Sequence, residues 1–273
     1  MTAQPGPHLA RGEAVTPERA GWRHLSFAVH EVVGRLRLGW SGHETVVVGL
    51  AGGGFGVDDL ELPGRASVWD GLPSAAYLPP NRTAALEPID GPVTVAVAHA
   101  PASGRETVHH AVRIGPEDVR VEVRGAGNAT RQINHIVTPD FPADRLEIVE
   151  VYTPSGNWSS WPPHKHDTDD LPREAVLEEI YHYRFRRPTA WGVQRLYGGS
   201  SGAEGFYAVR DAETVIVRDG YHPFVATHGD DAYYLNALAG DHRTMACSFD
   251  PTLDHIRAQW ASMAPDPRVP LVR

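Results

Sequence analysis

His164 and His166 flank Lys165, the only lysine among 25 basic residues, in the run PPHKHD. On extended backbone, side chains repeat every second residue, so the two imidazoles face one side. Such a pair chelates. Borderline divalent cations such as Zn²⁺, Mn²⁺ and Fe²⁺ accept imidazole together with carboxylate, and a coordination position left open separates a catalytic centre from a closed structural one. Alone, an HxH pair in a loop is more often polar surface than a ligand pair, so its neighbours carry the weight. Pro162 and Pro163 stiffen the approach, Trp158 and Trp161 can wall a pocket, and the strand-like run EEIYHYRF follows with acids at its head. If Glu179 faces the histidines, the two-residue period turns Tyr181 and Tyr183 the same way and sends Glu178, Ile180 and His182 to the other face.

The elements that must hold these residues read as strands. Short β-like runs at 31–40, 45–50, 93–98, 108–114 and 119–124 are bounded by Gly, Pro, Asn or Asp, and a second set follows at 146–152, 179–185, 193–197, 206–209, 214–218, 232–238 and 245–249. Between the sets, Pro139 and Pro142 break both helix and ladder and read as a linker. The expected organisation is a mobile tail over 1–21, a β domain over 22–138 and a second over 139–273. The fold class is all-β, two tandem antiparallel barrels or sandwiches, because helices between the strands are lacking. One helix is convincing, at 253–263, with Asp250 as N-cap, Pro251 in the first position, and Leu253, Ile256, Trp260 and Met263 at three-to-four spacing. It is expected to pack on the outside of a sheet. Gly52, Gly53, Gly54 and Gly56 after TVVVGL lack the GxGxxG spacing, and DDLELPGR is a poor helix, so a turn or bulge is read there and not a dinucleotide site.

Composition agrees. The 27 glycines and 23 prolines fall between apolar runs, the punctuation of a many-stranded protein. A formal net charge of -9 repels polyanions and argues against nucleic acid as a partner. No apolar run approaches the roughly 20 residues of a bilayer span. The single cysteine, Cys247, cannot close an intramolecular disulfide, and the first twenty residues lack the apolar core of a secretory signal. These features predict a cytoplasmic protein without a membrane partner, and leave self-association into a homo-oligomer open.

The HxH pair, the glutamate opening the next strand and a later histidine after a glycine, in DGYHPF, resemble the two motifs of the cupin superfamily. The longer strings GNWSSWPPHKHD, LEEIYHYRF and RDGYHPF are similar, more specifically, to the 5-deoxy-glucuronate isomerase family of bacterial myo-inositol catabolism, a relative of the 4-deoxy-L-threo-5-hexosulose-uronate ketol isomerases. The resemblance extends from roughly Trp22 to the C-terminal helix. It implies two cupin-like units and one divalent metal ion, held by His164, His166, Glu179 and His222. Two departures stand out. Twelve residues, 167–178, intervene before Glu179, where the cupin pattern places the acid close behind the second histidine, so Asp170 and Glu178 are rivals for the carboxylate ligand. Arg218 stands where the pattern commonly has proline. His228, in the turn-like ATHGDD, is the rival of His222. In the N-terminal half, adjacent His109 and His110 point to opposite faces of a strand, and His24, His30 and His43 are scattered, so a metal is expected only in the C-terminal half.

The resemblance further implies conversion of 5-deoxy-D-glucuronate, a small sugar acid, to its 2-keto isomer. That chemistry needs a Lewis acid on the carbonyl and neighbouring hydroxyl, a base that moves a proton between two carbons, and a cation for the remote carboxylate, but no organic cofactor. A carboxylate bound to metal is a poor base, which leaves Tyr181, Tyr183, Lys165 or water held at the metal to move the proton. Arg184 and Arg195 are candidates for the anionic end. The same donor set also suits Fe²⁺ and O₂, so a cupin dioxygenase is the enzyme alternative, and a non-catalytic sugar-acid-binding cupin is the third reading.

Overall fold

The computed structural model describes residues 8–9, 11–202 and 204–273. Among them, nearly all regular structure is antiparallel strand. In the N-terminal half a five-stranded sheet runs in the order Val112–Ile114, Ala75–Leu78, His43–Gly52, Val93–Pro101, Ser26–Val32. Its partner is a four-stranded sheet of Leu36–Leu38, Ala84–Pro88, Phe55–Val57 and Leu60–Leu62. The C-terminal half repeats this plan. Its larger sheet runs His8–Leu9, Thr214–Val217, Glu178–Phe185, Ala232–Ala239, Leu146–Thr153, and is extended by Arg131–Val137 and Arg120–Arg124. Its four-stranded sheet runs Trp158–Ser159, Phe224–Ala226, Trp191–Leu196, Gly205–Arg210. The C-terminal half alone adds a two-stranded pair, His164–Lys165 with Ser248–Phe249. The expected tandem all-β fold is present, as two packed sandwiches.

Strands buried on both faces divide their side chains between an interior and the layer between the halves. Val46, Val48 and Leu50 meet Ile148, Tyr152, Ile180 and Tyr233 in one apolar cluster between the large sheets. On the opposite face Val47 joins Phe55, Leu78, Leu86 and Val95 inside the N-terminal sandwich. In Glu178–Phe185 the same alternation sends Tyr181, Tyr183 and Phe185 inside the C-terminal sandwich. Two carboxylates lock the halves together. Glu44 accepts the backbone N–H groups of Asp144, Arg145 and Leu146 at 2.7, 2.6 and 2.7 Å. Glu178 accepts those of Arg23, His24 and Leu25 at 2.7, 2.9 and 2.7 Å.

Several expectations are corrected. The segment 139–142 is not a boundary between sheets: Arg131–Val137 pairs with Leu146–Thr153 across it, because the two prolines sit in the connection and leave both ladders intact. The part of the expected tail that is described is structured and anchored, since Val15 is buried and bridges to Phe27, Pro17–Ala20 is a helix capped by Thr16, and Ala20 is fully buried. Residues 1–7 and 10 lie outside the described residues. The run 31–40 is two strands interrupted at 33–35. The glycines at 52–54 end the strand His43–Gly52 and lead into Phe55–Val57, and the ladder shifts register just before them, between Gly49 and Ala51. The C-terminal helix is shorter than expected, His255–Trp260, because Asp250 turns back on Thr252 and does not cap it. No helix is long and apolar enough to cross a membrane among the described residues.

Candidate active site

The HxH segment enters the C-terminal sandwich on the two-stranded pair, where His164 lies opposite Phe249. His166 then pairs with Leu177 in both directions: Leu177 N donates to its carbonyl at 3.0 Å, and its Nδ1 donates to the Leu177 carbonyl at 2.9 Å. This pairing closes the excursion at its base, and the Glu174 carboxylate organises it by accepting Asp167 N at 2.9 Å, Thr168 N at 2.8 Å and Lys165 Nζ at 2.9 Å. Two residues past Leu177, the strand period brings Glu179 back to His166, with Oε2 at 2.8 Å from Nε2. His222 approaches from the opposite sheet, its Nε2 3.2 Å from the same oxygen. The turn before it requires glycine: Gly220 has φ +78°, and a Cβ there would lie 2.5 Å from the Tyr197 carbonyl oxygen. Gly220 N donates to Asp167 Oδ2 at 2.8 Å, joining the two motif segments.

Ligand atoms of His166, Glu179 and His222 lie within 4.8 Å of one another. The His164 ring stands beside them, 4.7 Å from that of His222 and 6.3 Å from that of His166. His222 Nδ1 donates to the Gly220 carbonyl at 2.9 Å. With both Nδ1 hydrogens on carbonyls, the Nε2 atoms of His166 and His222 turn lone pairs toward a carboxylate, and Nε2 of His222 is buried without a hydrogen-bond partner. Such an arrangement is repulsive unless a proton or cation sits between the groups. Burial would raise the Glu179 pKa, but His222 and His166 hold it at about 2. Burial lowers His222 to about 4 against the pull of Glu179, and burial with the neighbouring imidazoles puts His164 well below the ordinary range. His166 is also desolvated, yet Glu179 wins and raises it. An anionic carboxylate among imidazoles pinned by carbonyls fits a borderline divalent cation.

A cavity of about 610 Å³ lies beside the cluster, lined by His164, His166, Glu179 and Tyr181 and by Arg257, Ala258 and Trp260 of the helix at 255–260. The sequence does not anticipate that residues of this helix line the cavity. Tyr181 shares a hydrogen bond of 2.8 Å with Ser160 Oγ. Tyr183 does not line the cavity; it is packed beneath it against Phe224 and Tyr234 and donates to Gln194 Oε1. Lys165 points away from the cavity into a network with Asp167 and Glu174, as strand parity demands of the residue between two inward histidines. Glu178 serves the N-terminal half, Asp170 pairs with Arg173, and His228 is exposed in a turn, so none of the three rival ligands joins the cluster. Arg184 pairs with Asp211, and Arg195 stacks on Tyr197 and Phe206. Arg124, Arg131 and Arg257 line the cavity instead. They are remote in sequence from the motif, and in a chain rich in arginine no local pattern marks them.

A duplicated antiparallel fold with a His/Glu donor cluster in one half defines a cupin of the duplicated type. The comparisons give the family: the KduI/IolB family model matches residues 6–256, and the chain belongs to that family. The 5-deoxy-glucuronate isomerase of Geobacillus kaustophilus (strain HTA426) is 38% identical over 249 residues, 89% of each chain. An IolB-like protein of Salmonella typhimurium LT2, known as a crystal structure, superposes with a TM-score of 0.83 at 32% identity, covering 94% of this chain and 97% of the other. A mutant form of the oxalate decarboxylase OxdC of Bacillus subtilis shares the fold at a TM-score of 0.60 and 10% identity, over 88% of this chain and 76% of its own. The family expected from the sequence, and with it an isomerase, holds.

Proposed function

We propose that the protein is a cytoplasmic 5-deoxy-glucuronate isomerase that uses one divalent metal ion held by His164, His166, Glu179 and His222. The observation that carries the metal is the convergence of His166, Glu179 and His222 on one buried point with His222 Nε2 unpartnered. When bound, the metal supplies Lewis acidity to the aldehyde and the neighbouring hydroxyl, lowering the cost of removing the proton between them. The chain's own groups do the rest. Burial and the nearby Glu179 hold the Tyr181 phenol well above its ordinary pKa. Tyr181 therefore enters as a hydrogen-bond donor to a substrate oxygen, with Ser160 Oγ as its relay, and not as the carbon base. Tyr183 and Lys165, candidates by sequence, support the site: Tyr183 orients Gln194, which donates to the His222 carbonyl, and Lys165 holds the loop that ties Asp167 to Gly220.

An NMR time course on 5-deoxy-glucuronate tests the reading. The expected result is conversion to the 2-keto isomer without nicotinamide, flavin or oxygen consumption, lost on chelation and restored by a divalent metal. Tyr181→Phe should retain metal and lose roughly 10²- to 10³-fold in kcat, the usual scale for removing a hydrogen-bond donor to a reacting oxygen. Undiminished turnover by metal-stripped protein would defeat the proposal.

A further inference from the structure

Arg131, at the head of Arg131–Val137, is 6% exposed and lines the cavity. Its Nη1 donates to the carbonyls of Ala129 at 3.1 Å and Trp161 at 3.0 Å. The guanidinium carbon stands 5.7 Å from the centroid of the Trp260 ring. Nε and Nη2 have no hydrogen-bond partner among the described residues, and no carboxylate of those residues lies within ion-pair distance of the guanidinium. These two donors form the parallel edge that fits a carboxylate bidentately. Leaving a buried cation unpaired is costly. The same chain shows the paired alternative, since the equally buried Arg65 is matched to Glu150. Burial lowers Arg131 to about 10, which still leaves it charged at neutral pH.

The other cavity arginines differ. Arg124 already gives Nε and Nη2 to Glu122 at 2.7 and 3.0 Å. Arg257 lies over the Phe249 ring, 4.3 Å from its centroid, on the exposed helix. Glu179, in the metal cluster, is the only acid on the cavity wall among the described residues. The cavity is therefore polarised, with a cluster that takes a cation on one wall and a desolvated, unsatisfied guanidinium on another.

We propose that Arg131 is the residue that receives the carboxylate of the sugar-acid substrate, through its Nε–Nη2 edge, and so selects uronates over neutral aldoses. This rests on the isomerase reading above and names the anion end of that same site. The test measures binding apart from turnover. Calorimetry on the metal-loaded protein compares the non-reactive alditol acid made by reducing the aldehyde of 5-deoxy-glucuronate with the corresponding amide. The wild-type protein should bind the acid at least 30-fold more tightly. In Arg131→Gln the acid should weaken about 10²-fold, the scale of a desolvated charge pair, while the amide changes less than threefold. Arg131→Lys should recover part of the loss, because it restores charge without the fork. Equal affinity of wild-type protein for acid and amide, or failure to bind the acid, would overturn the proposal without recourse to a variant. Equal weakening of acid and amide in a folded, metal-loaded Arg131→Gln would overturn it too. Turnover of 5-deoxy-glucuronate, measured in parallel, decides the isomerase reading separately.

Discussion

Aligned through their sheet registers, Thr45, Val47 and Gly49 of the N-terminal sandwich occupy the positions of Glu179, Tyr181 and Tyr183 in the C-terminal one, and Val95, Val97 and His99 those of Tyr234, Asn236 and Leu238. The locking carboxylates correspond as well: Glu44 and Glu178 fall at equivalent positions, and each grips three consecutive residues at the start of a strand across the layer, Asp144 to Leu146 before or in Leu146–Thr153 and Arg23 to Leu25 before Ser26–Val32. The surfaces facing one another have thus kept their chemistry, while the interiors have diverged. One is filled by Val, Leu, Ala and Phe side chains. The other encloses a polar cavity. Part of the reason is length. Residues 39–42 join Leu36–Leu38 to His43–Gly52, whereas 160–177 join the equivalent strands Trp158–Ser159 and Glu178–Phe185. The short turn has no room for a histidine-bearing segment to descend between the sheets. A metal centre on this scaffold needs both the inserted segment and acids at strand positions that otherwise carry packing residues.

The sharpest way to break this comparison is at the donor cluster. His222→Ala should reduce turnover by more than about 10³-fold and lower bound metal, measured by elemental analysis, well below one ion per chain. The far-ultraviolet circular dichroism should stay unchanged, because the apolar clusters do not include His222. Full metal content in that variant would mean that the cluster containing His222 is not the feature that separates the halves.

Next in size is the shared surface. Glu44→Ala leaves three buried N–H groups and the Tyr77 hydroxyl without an acceptor, Glu178→Ala two buried N–H groups and that of exposed Arg23, and each should destabilise the protein by about 3 kcal/mol or more in urea unfolding. The losses should agree within about 1 kcal/mol if the two contacts are equivalent. A large loss in one variant only would show that the duplication is geometric and not energetic.

The motif half of this comparison was legible in sequence, because HxH spacing, strand parity and the glycine before His222 are local features. Parity alone also separates Glu179 from Glu178 once the strand is known. What was not legible is what depends on distant chain. The ladder joining Arg131–Val137 to Leu146–Thr153 runs across two prolines that read as a break, since proline statistics are local and the pairing is not. The helix at 255–260 carries only Ile256 and Trp260 of the expected apolar spacing, and that spacing does not reveal that its residues line a cavity. Arg131 looks like any other arginine until its burial and lack of an acidic partner are visible.

A smaller effect distinguishes the halves by pH. Glu147 stands beside Leu238 on the C-terminal interior, and Ser26 is its counterpart. Both of its carboxylate oxygens are buried without a partner among the described residues, and burial raises it from 4.5 to about 7 against the opposing pull of Arg243 and His166. Between those values the unfolded chain releases a proton that the folded chain keeps, so stability falls as pH rises from about 4.5 to about 7 and stays lower above that, by roughly 3 kcal/mol in metal-free protein. Glu147→Gln should remove this loss. Its advantage in melting temperature should be several degrees at pH 8 and absent at pH 4, and an advantage independent of pH would show that the carboxyl does not titrate there.

The smallest expected effect lies in the silent half. Thr45, the counterpart of Glu179, is fully buried, and its Oγ1 has no hydrogen-bond partner among the described residues. A buried hydroxyl without an acceptor forfeits its hydration and gains nothing in return. Thr45→Val preserves the shape, removes that unsatisfied group and should stabilise the protein by about 1 kcal/mol, or roughly 2 °C in melting temperature for a chain of this size. Turnover should not move, since no residue of this core lines the cavity. If Thr45→Val were instead destabilising, the N-terminal interior would have to hold a polar partner such as an ordered water at the position of the acid ligand. The contrast between an apolar and a polar interior would then be one of degree.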